Sequence, residues 1–154
     1  MIGPGAAIVP PFPLPPYAHA PGRNPRHDPA IFAAAKVAAP AQTRSEDADR
    51  NQAWRYGLAL LARGYFWECH EVLETVWLNA APNSGERRMA QAVIQIANGA
   101  LKQRMGRGRA ARRLGEIAMG LLDDLPASSQ TMGIDPSDLR PLASALADGR
   151  SFEV

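Results

Sequence analysis

Residues Tyr65–Trp77, YFWECHEVLETVW, decide the fold. At about 3.6 residues per helical turn, Tyr65, Phe66, Cys69, Val72, Leu73, Val76 and Trp77 share one broad apolar arc, while Glu68, Glu71 and Thr75 fall on the opposite side. The stretch therefore reads as an amphipathic helix. His70 and Glu74 lie at the edge of the arc, four residues apart, which sets their Cβ atoms about 5–6 Å from each other. That separation suits a hydrogen bond or a shared metal ion. Glu68 points almost the other way, toward the solvated side. The residues expected to act together are His70 and Glu74, with Glu71 next.

Upstream of this helix, Ser45 is a good N-cap with Glu46 and Asp47 behind it, and Trp54, Leu58 and Leu61 recur at helical spacing until Gly64, which suits a left-handed C′ position. These signals predict a first helix from Ser45 to Gly64, and the quoted stretch is the second, ending near Leu78. The loop from Asn79 to Gly85 is short enough to make a third helix, about Glu86 to Met105, the antiparallel neighbour of the second. A fourth, about Arg109 to Leu125, carries the stripe Leu114, Ile117, Leu121 and Leu122. A last short helix starts at Asp135-Pro136, with Asp as cap and proline at N1, and Pro141 is expected to kink or restart it. No strand-like alternation and no fixed-period repeat occurs.

Most of the 14 prolines fall before residue 41, in a stretch that also carries His19 and His27. It predicts an extended, polyproline-like leader without a core of its own, either a loose tail or a strap laid over the helices. The expected fold is all-α: a compact bundle of four to five helices preceded by an extended proline-rich N-terminal segment. Residues 1–44 are the leader or strap and 45–154 a single helical-bundle domain.

Lysine and arginine number 17 against 15 acidic residues, so bulk attraction to polyanions is not implied. Cys69 stands alone, which excludes an internal disulfide framework and fits a small buried hydrophobe. The leader lacks a basic n-region and an uninterrupted apolar run. A cytoplasmic protein without membrane contact is expected. The alanine-rich flank of the third helix would allow close packing with another helix, which leaves a homo-oligomer open.

On the third helix Gln91, Gln95, Asn98 and Lys102 form one narrow polar stripe among apolar residues. A solvated face usually carries Lys and Glu, whereas amides supply both donors and acceptors, as a partly dry pocket needs. If this stripe faces His70 and Glu74, the two helices enclose a small-molecule site with Trp77 at its end. A metal there would take His70 and Glu74, with Glu71, Glu86 or a strapped-back His27 as third ligand. Zinc, manganese or iron in that position would make hydrolysis the natural reaction, with a spare glutamate as general base. The alternative is a non-enzymatic protein in which these residues bind a small ligand or form a structural network. The acid-free run Lys102, Arg104, Arg107, Arg109, Arg112 and Arg113 could meet phosphates, but no aromatic residue interleaves with it, so nucleic acid is the less favoured partner.

The motif resembles bacterial domain of unknown function family 309. That family's W-E-x-H-E-x-x-E-x-x-W pattern lands on Trp67, Glu68, His70, Glu71, Glu74 and Trp77, and its Q-x-x-x-Q-x-A helix on Gln91, Gln95 and Ala97. Its lysine before a glycine turn corresponds to Lys102 and Gly106. The sequence departs at Ala62, Arg107 and Ala110. The resemblance implies an all-α bundle, and members are often labelled metal-dependent hydrolases.

Overall fold

The longest helix, Gly85–Arg104, is the one around which the chain is arranged. The computed structural model describes residues 1–151, and over these the α-helices are α1 (Ala33–Val37), α2 (Gln52–Ala62), α3 (Phe66–Leu78), α4 (Gly85–Arg104), α5 (Gly108–Asp123) and α6 (Pro136–Ala147). Turns of 3-10 helix occupy Pro4–Ala7, Pro29–Phe32 and Ser45–Arg50. The all-α class stands. The expectation of four to five helices is too low, because the leader itself contributes α1. No described helix is long and apolar enough to cross a membrane.

Successive helices pack on one another from α2 to α6, and α4 touches α3, α5 and α6. Met89, Ala92, Val93, Ile96 and Ala97 of α4 are fully buried, and only Gln91, Gln95, Asn98 and Lys102 interrupt the burial of its middle and later turns before Gln103. The alanine-rich flank is used inside the chain: a Cβ on Gly99 would meet Leu146 of α6 at 2.8 Å and the carbonyl of Ala111 in α5 at 3.5 Å. The helix that this flank admits is therefore the chain's own.

Three local readings change. The first helix begins at Gln52, not Ser45, because Asn51 Oδ1 accepts from Trp54 N and caps it. Ser45 Oγ instead accepts from Met132 N, 87 residues away, and Ser45 N donates to Glu86 Oε2. The buried seam of α5 is Ala111, Gly115, Ala118 and Leu122, while Ile117 is 38% exposed. Small residues take the seam because α6 comes so close that a Cβ on Gly115 would sit 2.5 Å from Ala147 N. Pro141 lies within α6, which runs on to Ala147 without a restart. Gly64 and Gly106 do end their helices with positive φ, and Asp135 caps α6 before Pro136.

The proline-rich leader is a strap. Prolines remove backbone donors and leave carbonyls that need partners, and the helical body supplies them from side chains. Tyr56 donates to Pro13 O at 2.6 Å, Arg63 to Ile8 O at 2.8 Å and Asn79 to Pro40 O at 2.8 Å. Ile2 N closes onto Ala62 O, and Thr43 binds the end of α3 through Val76 O and Asn79 O. Phe32 and Ala35 of the strap, each 1% exposed, enter the core.

Gly5 lies so close to α2 that an added Cβ would sit 1.9 Å from Leu58 O, a backbone atom that cannot swing aside. Gly5→Ala is expected to lift the first residues off α2 and to destabilise the protein by about 1–3 kcal/mol. Thermal unfolding measures the loss. Hydrogen exchange at Ile2 N should speed up more than at amides of α4, and unchanged exchange there would contradict this docking.

Candidate functional site

Because α3 and α4 run back to back across a short loop, their polar edges meet. His70, Glu74 and Trp77 of α3 and Gln91, Ile94, Gln95 and Asn98 of α4 line an open hollow of about 300 Å³. The amides sit one turn apart along α4 and face the histidine and carboxylate across it. Lys102 continues the same stripe but lies one turn beyond Asn98, outside this lining.

One turn of α3 gathers the donors. His70 Nε2 is 3.8 Å from Glu74 Oε2, and His70 Nδ1 is 3.8 Å from Glu71 Oε1. Both separations exceed a hydrogen bond. Either separation alone suits two ligands of one ion, since bonds of about 2.0–2.2 Å place neighbouring donor atoms roughly 3–4 Å apart, but the two contacts use different ring nitrogens and one ion takes only one of them. One ligand atom from each of His70, Glu71 and Glu74 can be chosen so that all lie within 4.8 Å of one another. His70 and Glu71 are partly exposed and Glu74 is exposed, so the carboxylates are free to close on an ion. Lys36 of the strap competes, its Nζ lying 3.6 Å from Glu71 Oε2. Glu86 is engaged elsewhere, on Ser45 N.

The solvated role expected for Glu68 is overturned. Its side chain is completely buried, because the strap lies across the face of α3 that would otherwise see water. Glu68 Oε2 accepts from His19 N at 2.7 Å and pairs with His27 Nε2 at 2.7 Å. Its Oε1 has no hydrogen-bond partner among the described residues. Tyr17 packs against the His27 ring at 4.5 Å between centroids, and Trp67 meets His19 at 4.8 Å. The strap does fold back as one expectation required, but it delivers His27 to Glu68 and not to the His70 turn. The available signal was the pair of histidines in a proline-rich leader.

The charge of Glu68 is felt around it. Burial first, and Glu68 second, push the Tyr56 phenol up to about 12 and raise the Cys69 thiol far above its ordinary range, which leaves Cys69 inert as a nucleophile. Burial draws the Arg104 guanidinium down, and Glu68 opposes that pull. Arg104 leaves the basic run altogether: it donates to Gly64 O at 2.8 Å and covers the Phe66 ring at 4.3 Å. Arg107, Arg109, Arg112 and Arg113 remain on the surface around the start of α5.

Residues 54–114 match the family model described as Domain of unknown function (DUF309). That stretch holds most of α2, all of α3 and α4 and the first turns of α5, and so every lining residue of the hollow between α3 and α4. No curated protein and no solved structure matches the chain.

His27→Ala would leave Glu68 buried with a single N–H donor, and is expected to cost about 3–5 kcal/mol of stability in urea unfolding. Adding Glu68→Leu should recover part of that loss, with a coupling of about 0.5–3 kcal/mol. Strict additivity of the two changes would show that the pair does not interact.

Proposed function

We propose that this chain, whose residues 54–114 form a DUF309 domain, holds a divalent ion (zinc, manganese or iron) on His70, Glu74 and Glu71 and hydrolyses a small polar substrate laid along Gln91, Gln95 and Asn98. The observation that carries this reading is that one ligand atom from each of His70, Glu71 and Glu74 can lie within 4.8 Å of the others, with His70 and Glu74 lining a hollow whose far wall is mostly amides. One histidine and two carboxylates suit such ions and leave coordination positions for water and substrate. A divalent ion there supplies Lewis acidity and makes water reactive near neutral pH.

The chain's own residues do the rest. His70 and Glu74 define the ion's place, because they share the helical edge facing α4. Glu71, nearer the strap and within reach of Lys36, is the carboxylate best placed to exchange between ligand and general base. Gln91, Gln95 and Asn98 present donors and acceptors in a row, which orients a substrate with both kinds of polar atom. Among the described residues the hollow has no serine, threonine or cysteine on its wall, so attack by water fits better than a covalent intermediate.

A second reading rests on Lys36. Its ammonium already sits 3.6 Å from Glu71 and can neutralise the acidic turn without a metal, making the cluster a structural one.

Calorimetric titration of untagged protein with zinc, manganese and iron(II), paired with elemental analysis, separates the two. The hydrolase reading expects one ion per chain, weakened by about tenfold or more in His70→Ala and in Glu74→Gln, and tightened in Lys36→Met. The structural reading expects no stoichiometric ion and a lower melting temperature in Lys36→Met.

A further inference from the structure

The hollow at His70 has a neighbour along α4. Gln91 also lines a second hollow of about 300 Å³, with Asn83, Ser84, Arg87, Arg88 and Leu121 around it. Arg87 joins the two, because its guanidinium carbon lies 4.0 Å above the ring of Trp77, which borders the first. The two hollows thus adjoin along α4 at Gln91, with a carboxylate beside the first and guanidinium groups beside the second.

Arg87 and Arg88 are both partly exposed, the Arg88 guanidinium more so than that of Arg87. Among the described residues the Arg87 side chain donates only to Ala80 O at 3.1 Å, and that of Arg88 only to Asn83 O at 3.2 Å. Neither forms an ion pair among the described residues. The Trp77 ring stabilises the Arg87 cation, and most of the N–H groups on each fork remain available to an anion. Between them and the His70 turn, Trp77 Nε1 is a buried donor with no acceptor. Two guanidinium forks without ion pairs among the described residues and one unpartnered indole N–H therefore stand beside two adjoining hollows, the farther of which is acidic.

We propose that these two hollows together take a small oxyanion-bearing molecule, its phosphate or carboxylate held by Arg87 and Arg88 and its reacting portion at the His70–Glu74 turn. The inference rests on the reading of that turn as the reactive end. His70 and Trp77 are seven residues apart on α3, so the anionic group stands roughly 10 Å from the reactive end. Guanidinium forks match both phosphate and carboxylate, and a remote anion gives binding energy that positions the bond to be cleaved. The arginines around the start of α5 line a separate, more open hollow with Glu116 and share no lining residue with either of these.

The test follows the Trp77 indole ¹H–¹⁵N resonance of metal-free protein titrated with pyrophosphate and, separately, succinate at constant ionic strength. At least one anion should give a saturable shift, weakened by about tenfold or more in Arg88→Gln, partly recovered in Arg88→Lys and unchanged in Arg112→Gln. The tighter of the two anions identifies the oxyanion. No saturable shift with either, equal affinity in Arg88→Gln, or loss in Arg112→Gln overturns the proposal. His70→Ala should bind the anion normally. An anion result as expected, without any metal binding, would therefore sink the metal reading and leave this one standing, and the converse pattern would do the reverse.

Discussion

A carboxylate with no access to water governs the rotation of α3. Glu68 is held by His19 N and His27 Nε2 at 2.7 Å each, and both partners come from the strap. An isolated buried carboxylate costs several kcal/mol, so α3 can seat Glu68 inward only while the strap is in place. Two residues further along a helix lies nearly the opposite face, so pinning Glu68 beneath the strap turns His70 and Glu74 toward α4. The polar edge that borders the hollow is thus a consequence of what happens behind it.

The strap and the hollow share this dependence through separate contacts. Proline-rich backbone brings carbonyls to the body, where Tyr56, Arg63 and Asn79 answer them, and carries Lys36 to Glu71. Arg104 ties the other side by spanning from α4 to Gly64 O and the Phe66 ring, which fixes the start of α3 against α4. With both ends of α3 held, the turn that carries His70 and Glu74 stays opposite the amide row of α4.

Periodicity made much of this legible. The arcs of α3 and α4, the glycines ending α2 and α4, and the Asp-Pro start of α6 are local signals, and each appears in the structure where the residues put it. The amide stripe of α4 was legible for the same reason: Gln91, Gln95 and Asn98 stand out against buried neighbours on a regular wheel. Glu68 was not, because its partners lie 41 and 49 residues away in a segment without periodicity. A helical wheel assigns a polar residue to solvent unless something else is known to cover it. The seam of α5 escaped for a related reason. Large apolar side chains draw the eye, while close approach of α6 is written in Gly115 and Ala118, whose signal is the absence of bulk.

The clamp on Glu68 can be observed directly, since the chain has only three histidines. A long-range ¹H–¹⁵N spectrum of the imidazole rings, assigned by single His→Gln changes, reports the state of each. The account predicts that His27 Nε2 carries a proton in slow exchange with water, hydrogen-bonded to a carboxylate, while the His70 ring exchanges rapidly. A His27 ring exchanging as freely as that of His70 would contradict it, because the strap would then not hold α3 in place.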